Sequence, residues 1–162
     1  MGAGKTTFGK KLAKAMQLPF FDSDQLIEEQ TQKTIANLFL EFGENGFRLL
    51  EKDLIQQLKT KQDNFVLSVG GGLPCFNNLM NDLNELGTTV YLKHSIGVLS
   101  NRLKNAKKVR PILPKKDDPS FNNFIEDKLN EREHFYLNAH IILPTKEQSV
   151  EILCSRLKNS DS

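Results

Sequence analysis

Gly2-Ala3-Gly4-Lys5-Thr6-Thr7 runs directly into a helical pattern marked by Phe8, Leu12, Ala15 and Met16. Gly-Lys-Thr is the close of the phosphate-binding loop G-x-x-x-x-G-K-[ST], whose backbone N–H groups surround phosphates at a helix N-terminus. In that chemistry Lys5 reaches the β- and γ-phosphates of ATP, and the Thr6 hydroxyl ligates Mg²⁺. The motif's opening glycine and the strand that should launch it fall ahead of Met1. Gly2 with Thr6 also fits an N-myristoylation pattern, which leaves Lys5 unexplained.

Further residues suit the same site. Asp22-Ser23-Asp24 stands where a strand should end and a helix begin. In extended chain, residues two apart point the same way, so both carboxylates can face one pocket at the carboxyl edge of a sheet. Asp22 could then serve the metal and Asp24 a substrate hydroxyl, or one member of the tripeptide could simply cap the helix. Arg48 and Glu51, three apart on a helix, fit either an anion-binding cluster or a surface ion pair. Gly70-Gly71-Gly72 follows an apolar strand and lets backbone approach a ligand closely. Arg132 lies in a helical pattern, where an exposed salt bridge is the plain alternative. His94, His134 and His140 show no metal-ligand spacing and receive no role.

The elements that must position these residues alternate. Short apolar runs at 18–22, 65–69, 88–92 and 141–143 read as strands. Helical periods mark Ile35, Leu38, Phe39 and Phe42, then Phe47, Leu50, Leu54 and Leu58, and the segments 77–86, 96–103, Phe121–Tyr136 and 146–157. Strands without apolar/polar alternation imply a parallel sheet covered by helices, an α/β fold. The 162 residues make one domain. Hydrophobic residues at 38% and charged residues at 26% exclude disordered, collagenous and membrane classes, and Phe 11 with Trp 0 predicts a core rich in Phe. A net charge of +2 is too balanced for a nucleic-acid binder. Two cysteines, Cys75 and Cys154, are read as ordinary residues of a cytoplasmic protein. Residues 104–120 have loop composition, with Lys104, Lys107, Lys108, Arg110, Lys115 and Lys116 among three prolines. This suits a lid over ATP phosphates better than a nucleic-acid patch.

In order along nearly the whole chain, these motifs resemble the shikimate kinase family: Gly2–Thr6, Asp22-x-Asp24, Gly43-Glu44 through Phe47-Arg48 to Glu51, Gly70-Gly71-Gly72, Arg110-Pro111-Ile112-Leu113, and Arg132 with Tyr136. The resemblance implies a three-layer P-loop kinase fold with a five-stranded parallel sheet of order 2-3-1-4-5, its first strand missing from these residues. It implies phosphorylation of the 3-hydroxyl of shikimate by ATP with Mg²⁺, in the pathway to chorismate and the aromatic amino acids. Gly2, Ala3, Gly4, Lys5, Thr6, Thr7, Arg102 and Arg110 would bind ATP. Thr6 and Asp22 would hold the metal. Asp24, Arg48, Gly70, Gly71, Gly72 and Arg132 would bind shikimate, with Lys5, Asp24 and Arg110 catalytic. The substrate-binding helical region would span about 23–59 and the lid about 104–120, in a monomer with no nucleic-acid or membrane partner. A gluconate- or nucleotide-type kinase, or an incomplete non-catalytic nucleotide-binding relative, remain alternatives. Arg48 and Arg132 favour a small carboxylate over a nucleobase.

Overall fold

A computed structural model describes residues 2–61, 63–106, 114–115 and 117–160. The expected lid arginine, Arg110, lies outside the described residues, with the rest of 107–113 and residue 116 of the lid segment. The chain opens with helix α1 (Lys5–Met16), followed by strand β1 (Phe20–Asp22), α2 (Ser23–Thr31), α3 (Ile35–Lys59) and β2 (Val66–Ser68). Then come α4 (Leu79–Leu86), β3 (Val90–Lys93), α5 (Ile96–Lys104), α6 (Phe121–Tyr136), β4 (Ile141–Pro144) and α7 (Val150–Ser160).

Local chemistry explains the helix starts. Asp22 accepts a hydrogen bond from Asp24 N at 3.2 Å and caps α2, Thr34 caps α3 through Asn37 N, and Ser95 caps α5 through Val98 N. Helix α3 joins the two helical periods read from the sequence. It is kinked at Gly43, whose φ of 65° and ψ of −175° leave the helical region.

β1 pairs parallel to β2 with Phe20 opposite Val66 and Asp22 opposite Ser68. β3 pairs parallel to β4 with Val90 opposite Ile141. The described residues therefore hold two two-stranded parallel sheets rather than one continuous sheet. Between β2 and β3 runs an apolar groove of about 860 Å³, walled by residues including Phe8, Leu12, Leu67, Val90 and Tyr91.

The helices bury the sheet faces in three clusters. Ile27, Leu38, Leu54, Ile55 and Leu58 join α2 and α3 to Leu79 and Leu83 of α4. Leu12 meets Leu92, Leu143 and Leu153, and Leu99 and Leu103 meet Phe121 and Ile125. The core is aliphatic, against the expectation from composition: of the eleven Phe, only Phe47 and Phe121 are buried. In α1, Ala13 is buried and Met16 is exposed, so the buried face is rotated from the one expected. Parallel pairing brings the carboxyl ends of β1 and β2 to one edge, and the residues with chemistry follow those ends.

Candidate active site

At the start of α1, Gly4 has φ +79°, a left-handed conformation that a side chain would strain and that turns the chain into the helix. Lys5 and Thr6 form the helix's first turn. Thr6 Oγ1 donates to Asp22 Oδ2 at 3.0 Å, so the hydroxyl expected at the metal meets the carboxylate expected there. Arg102 of α5 donates from Nη1 to Ala3 O at 3.1 Å, which places it against the same loop.

The Asp22-Ser23-Asp24 tripeptide is built differently from the extended arrangement read in the sequence. Asp22 ends β1, whereas Asp24 already lies in the first turn of α2. A helical turn separates their directions. Asp22 faces Thr6, while Asp24 Oδ1 comes within 3.1 Å of the point where a Cβ on Gly70 would stand. Ser23 between them is fully buried and accepts from Gly70 N at 3.0 Å.

The Arg48–Glu51 pair is not a surface pair. Arg48 is 7% exposed and Glu51 0%. Arg48 Nη1 donates to Glu51 Oε2 at 2.6 Å, and Nη2 donates to Glu44 Oε1 at 3.1 Å. The guanidinium lies over bare backbone, because a Cβ on Gly72 would sit 2.2 Å from Arg48 Nη2. Arg48, Gly72 and Arg132 of α6 line one cavity of about 320 Å³, together with Glu44, Lys128 and Glu131. Two cations from separate helices thus face a single space, the arrangement that clamps a carboxylate by planar, charge-assisted bonds.

Comparison with known proteins decides the family. The family model for shikimate kinase matches residues 1–160. The chain is 44% identical over 147 residues to the shikimate kinase of Bacteroides thetaiotaomicron, covering 91% of this chain and 83% of that one. It is 40% identical over 157 residues to that of Azobacteroides pseudotrichonymphae, covering 97% and 92%. The crystal structure of the Bacteroides thetaiotaomicron enzyme superposes with a TM-score of 0.89 at 41% identity, covering 98% of this chain and 94% of that one. A second structure, shikimate kinase from Acinetobacter baumannii in complex with shikimate, gives a TM-score of 0.80 at 32% identity over 97% and 86%. The chain belongs to the shikimate kinase family. It is a kinase with the α/β P-loop fold of that family, and its reaction is the ATP-dependent phosphorylation of shikimate to shikimate 3-phosphate.

Glu51, the partner of the Arg48 guanidinium that lines this cavity, holds a perturbed carboxyl. Burial pushes its carboxyl up to about 7, against the pull of the Arg48 hydrogen bond and charge, and the Asp24 and Glu44 charges push the same way as burial. Its Oε1 has no hydrogen-bond partner among the described residues and lies 3.2 Å from the Cβ position of Gly70. Burial works against the charge on Arg48, but Glu51 and Glu44 outweigh it and raise its pKa.

Three residues make contacts that their motifs do not specify. Glu51 had been visible only as a partner for Arg48. Tyr136 donates from Oη to Gly71 O at 2.5 Å and so ties α6 to the glycine turn, and burial first among the causes pushes its phenol up to about 12. Cys75, a free and half-buried cysteine, lines the Arg48–Arg132 cavity. No helix among the described residues is long and apolar enough to cross a membrane.

Proposed function

We propose that phosphoryl transfer runs between the α1 loop and the Arg48–Arg132 cavity, with each residue in a defined role. Gly2–Thr7 and Arg102 receive ATP. Lys5 neutralises the phosphates. Arg48 and Arg132 clamp the carboxylate of shikimate, and the Gly70–Gly72 turn supplies bare backbone for close approach. Asp24 accepts the hydrogen of the attacking 3-hydroxyl and orients that oxygen toward the γ-phosphate. Positioning and charge neutralisation are the main demands of this reaction. Arg110, outside the described residues, is assigned to the transferring phosphoryl group on the strength of its Arg-Pro-Ile-Leu motif.

Thr6 Oγ1 and Asp22 Oδ2 stand 3.0 Å apart, and hydroxyl and carboxylate oxygens are the hard donors Mg²⁺ prefers. The residues present therefore fit the ion. Bound there, Mg²⁺ would offset phosphate charge.

We further infer that the two strand pairs are the outer halves of one parallel sheet of order 2-3-1-4-5. β1 and β2 stand as neighbours 2-3, β3 and β4 as 4-5, and the apolar groove between β2 and β3 has the place and lining of a strand leading into the α1 loop. The protein acts as a cytoplasmic monomer, without nucleic-acid or membrane partners.

The observation that carries the acceptor assignment is the single cavity lined by both Arg48 and Arg132. The test is ADP release measured with shikimate, gluconate and nucleoside monophosphates in turn, with Mg²⁺ and ATP. Turnover with shikimate alone is expected. Comparable turnover with gluconate or a nucleotide, or ATP binding without turnover on any acceptor, would overturn the reading.

A further inference from the structure

His94 follows β3 directly and is 4% exposed. Its ring has polar atoms on both sides. Nδ1 lies 2.9 Å from Thr145 Oγ1, and Nε2 lies 3.0 Å from Arg102 Nη1 and 3.0 Å from Ala3 O. Arg102 Nη1 is itself 3.1 Å from Ala3 O.

Two tautomers of the ring fit these distances. In one, Nε2–H donates to Ala3 O; in the other, Nε2 accepts from Arg102, since a guanidinium only donates, and the proton of the neutral ring sits on Nδ1. That Nδ1–H donates to Thr145 Oγ1, whose own hydrogen goes to Lys93 O at 3.2 Å. The Ala3 carbonyl then takes its hydrogen from Arg102. Burial, opposed by a hydrogen bond to Ala3 O and aided by the nearby Arg102 charge, lowers the basicity of His94. Arg102 is otherwise an exposed, flexible side chain on α5. With His94 as its second acceptor it lies across Ala3 and beside Gly4, where its Nη1 is 3.5 Å from that glycine's Cβ position. Fixing such a side chain before ligand arrives removes an ordering cost from binding.

We propose that His94 is a positioning residue for the nucleotide: by accepting from Arg102 Nη1 it holds that guanidinium against the Ala3 carbonyl and so sets the loop that receives the phosphates of ATP. This rests on the reading that the α1 loop binds ATP. Lys93 and Thr145 anchor the other side of the ring, so His94 links the end of β3 to α5 and to the loop.

Two substitutions separate this role from simple packing. His94→Gln keeps an acceptor near the position of Nε2, whereas His94→Asn keeps only the Thr145 side. Titration calorimetry of Mg-ATP on the full chain should show His94→Asn weakened roughly tenfold, the scale of one lost charge-assisted hydrogen bond, and His94→Gln within about threefold of wild type. The KM for shikimate should stay within about twofold in both, because the acceptor cavity is untouched. In an Arg102→Gln background, His94→Asn should add no further loss.

Equal losses in the Asn and Gln variants, full ATP affinity in a folded Asn variant, or losses that add in the Arg102→Gln background would each overturn the proposal and leave the ATP reading intact. If His94→Asn fails to melt cooperatively, His94→Gln decides alone: a tenfold loss there overturns the proposal. A wild-type chain that binds no Mg-ATP overturns both readings.

Discussion

Glu51→Gln should change how the stability of this protein depends on pH. The Glu51 carboxyl is wholly buried and is raised from 4.5 to about 7. Between those values the folded state holds a proton that the unfolded state has released. Its contribution to stability is therefore full below about pH 4.5 and is lost as pH rises through about 7. At about 1.4 kcal/mol per pH unit, the interval between 4.5 and about 7 corresponds to about 3 kcal/mol, a large part of a domain's usual 5–15 kcal/mol. Gln mimics the protonated acid and still offers an oxygen to Arg48 Nη1. The assay is urea unfolding of both proteins at pH 4.5, 5.5, 6.5 and 7.5. The stability of the Gln variant relative to wild type should grow by about 3 kcal/mol across that series. A difference constant to within about 0.5 kcal/mol would refute the reasoning, because no other substitution distinguishes the two chains.

Gly72→Ala would place a Cβ 2.2 Å from Arg48 Nη2, so the guanidinium must move. The KM for shikimate should rise roughly 10–100-fold with the KM for ATP unchanged, and equal KM values for wild type and variant would refute the contact. Asp24→Asn should abolish turnover while leaving Mg-ATP affinity, measured by calorimetry, near wild type. Asp22→Asn should instead raise the Mg²⁺ concentration needed for half-maximal rate while leaving the α2 cap in place, since asparagine caps a helix about as well as aspartate. A version extended at its N-terminus by a short Val- and Ile-rich strand should melt roughly 5 °C or more higher, by filling the groove between β2 and β3, and an unchanged Tm would refute the strand slot.

The phosphate loop, the glycine turn and the arginine pair were legible because each motif carries its own chemistry at fixed spacing, and α6 was bounded correctly by its period alone. Burial was not legible. Arg48 and Glu51 at i and i+3 read equally well as a surface pair, and the backbone that lies against them, Gly72 on Arg48 and Gly70 on Glu51, is remote in sequence. Asp22 and Asp24 misled because the strand-to-helix change falls between them, and a period of two holds only within extended chain. His94 showed no spacing signal at all. Its partners lie at Ala3, Arg102 and Thr145, brought together only once β3 and α5 have packed against the α1 loop. The aliphatic core escaped because composition counts Phe residues without saying which face of a helix they occupy.

The two halves of the site meet through three consecutive residues. Asp22 turns toward Thr6 and the phosphate loop, Ser23 holds Gly70 N at the start of the glycine turn, and Asp24 lies against the bare face of Gly70. The helical break after Asp22 is what allows this division. Had the strand continued, Asp22 and Asp24 would share one direction and Ser23 would point away from both, leaving Gly70 N without its buried acceptor. Because Asp22 also caps α2, the carboxylate proposed to serve the metal is the group that starts the helix carrying Asp24. With Asp22 serving the metal and Asp24 the acceptor hydroxyl as proposed, both would be referred to one corner of backbone, the kind of positioning that phosphoryl transfer demands.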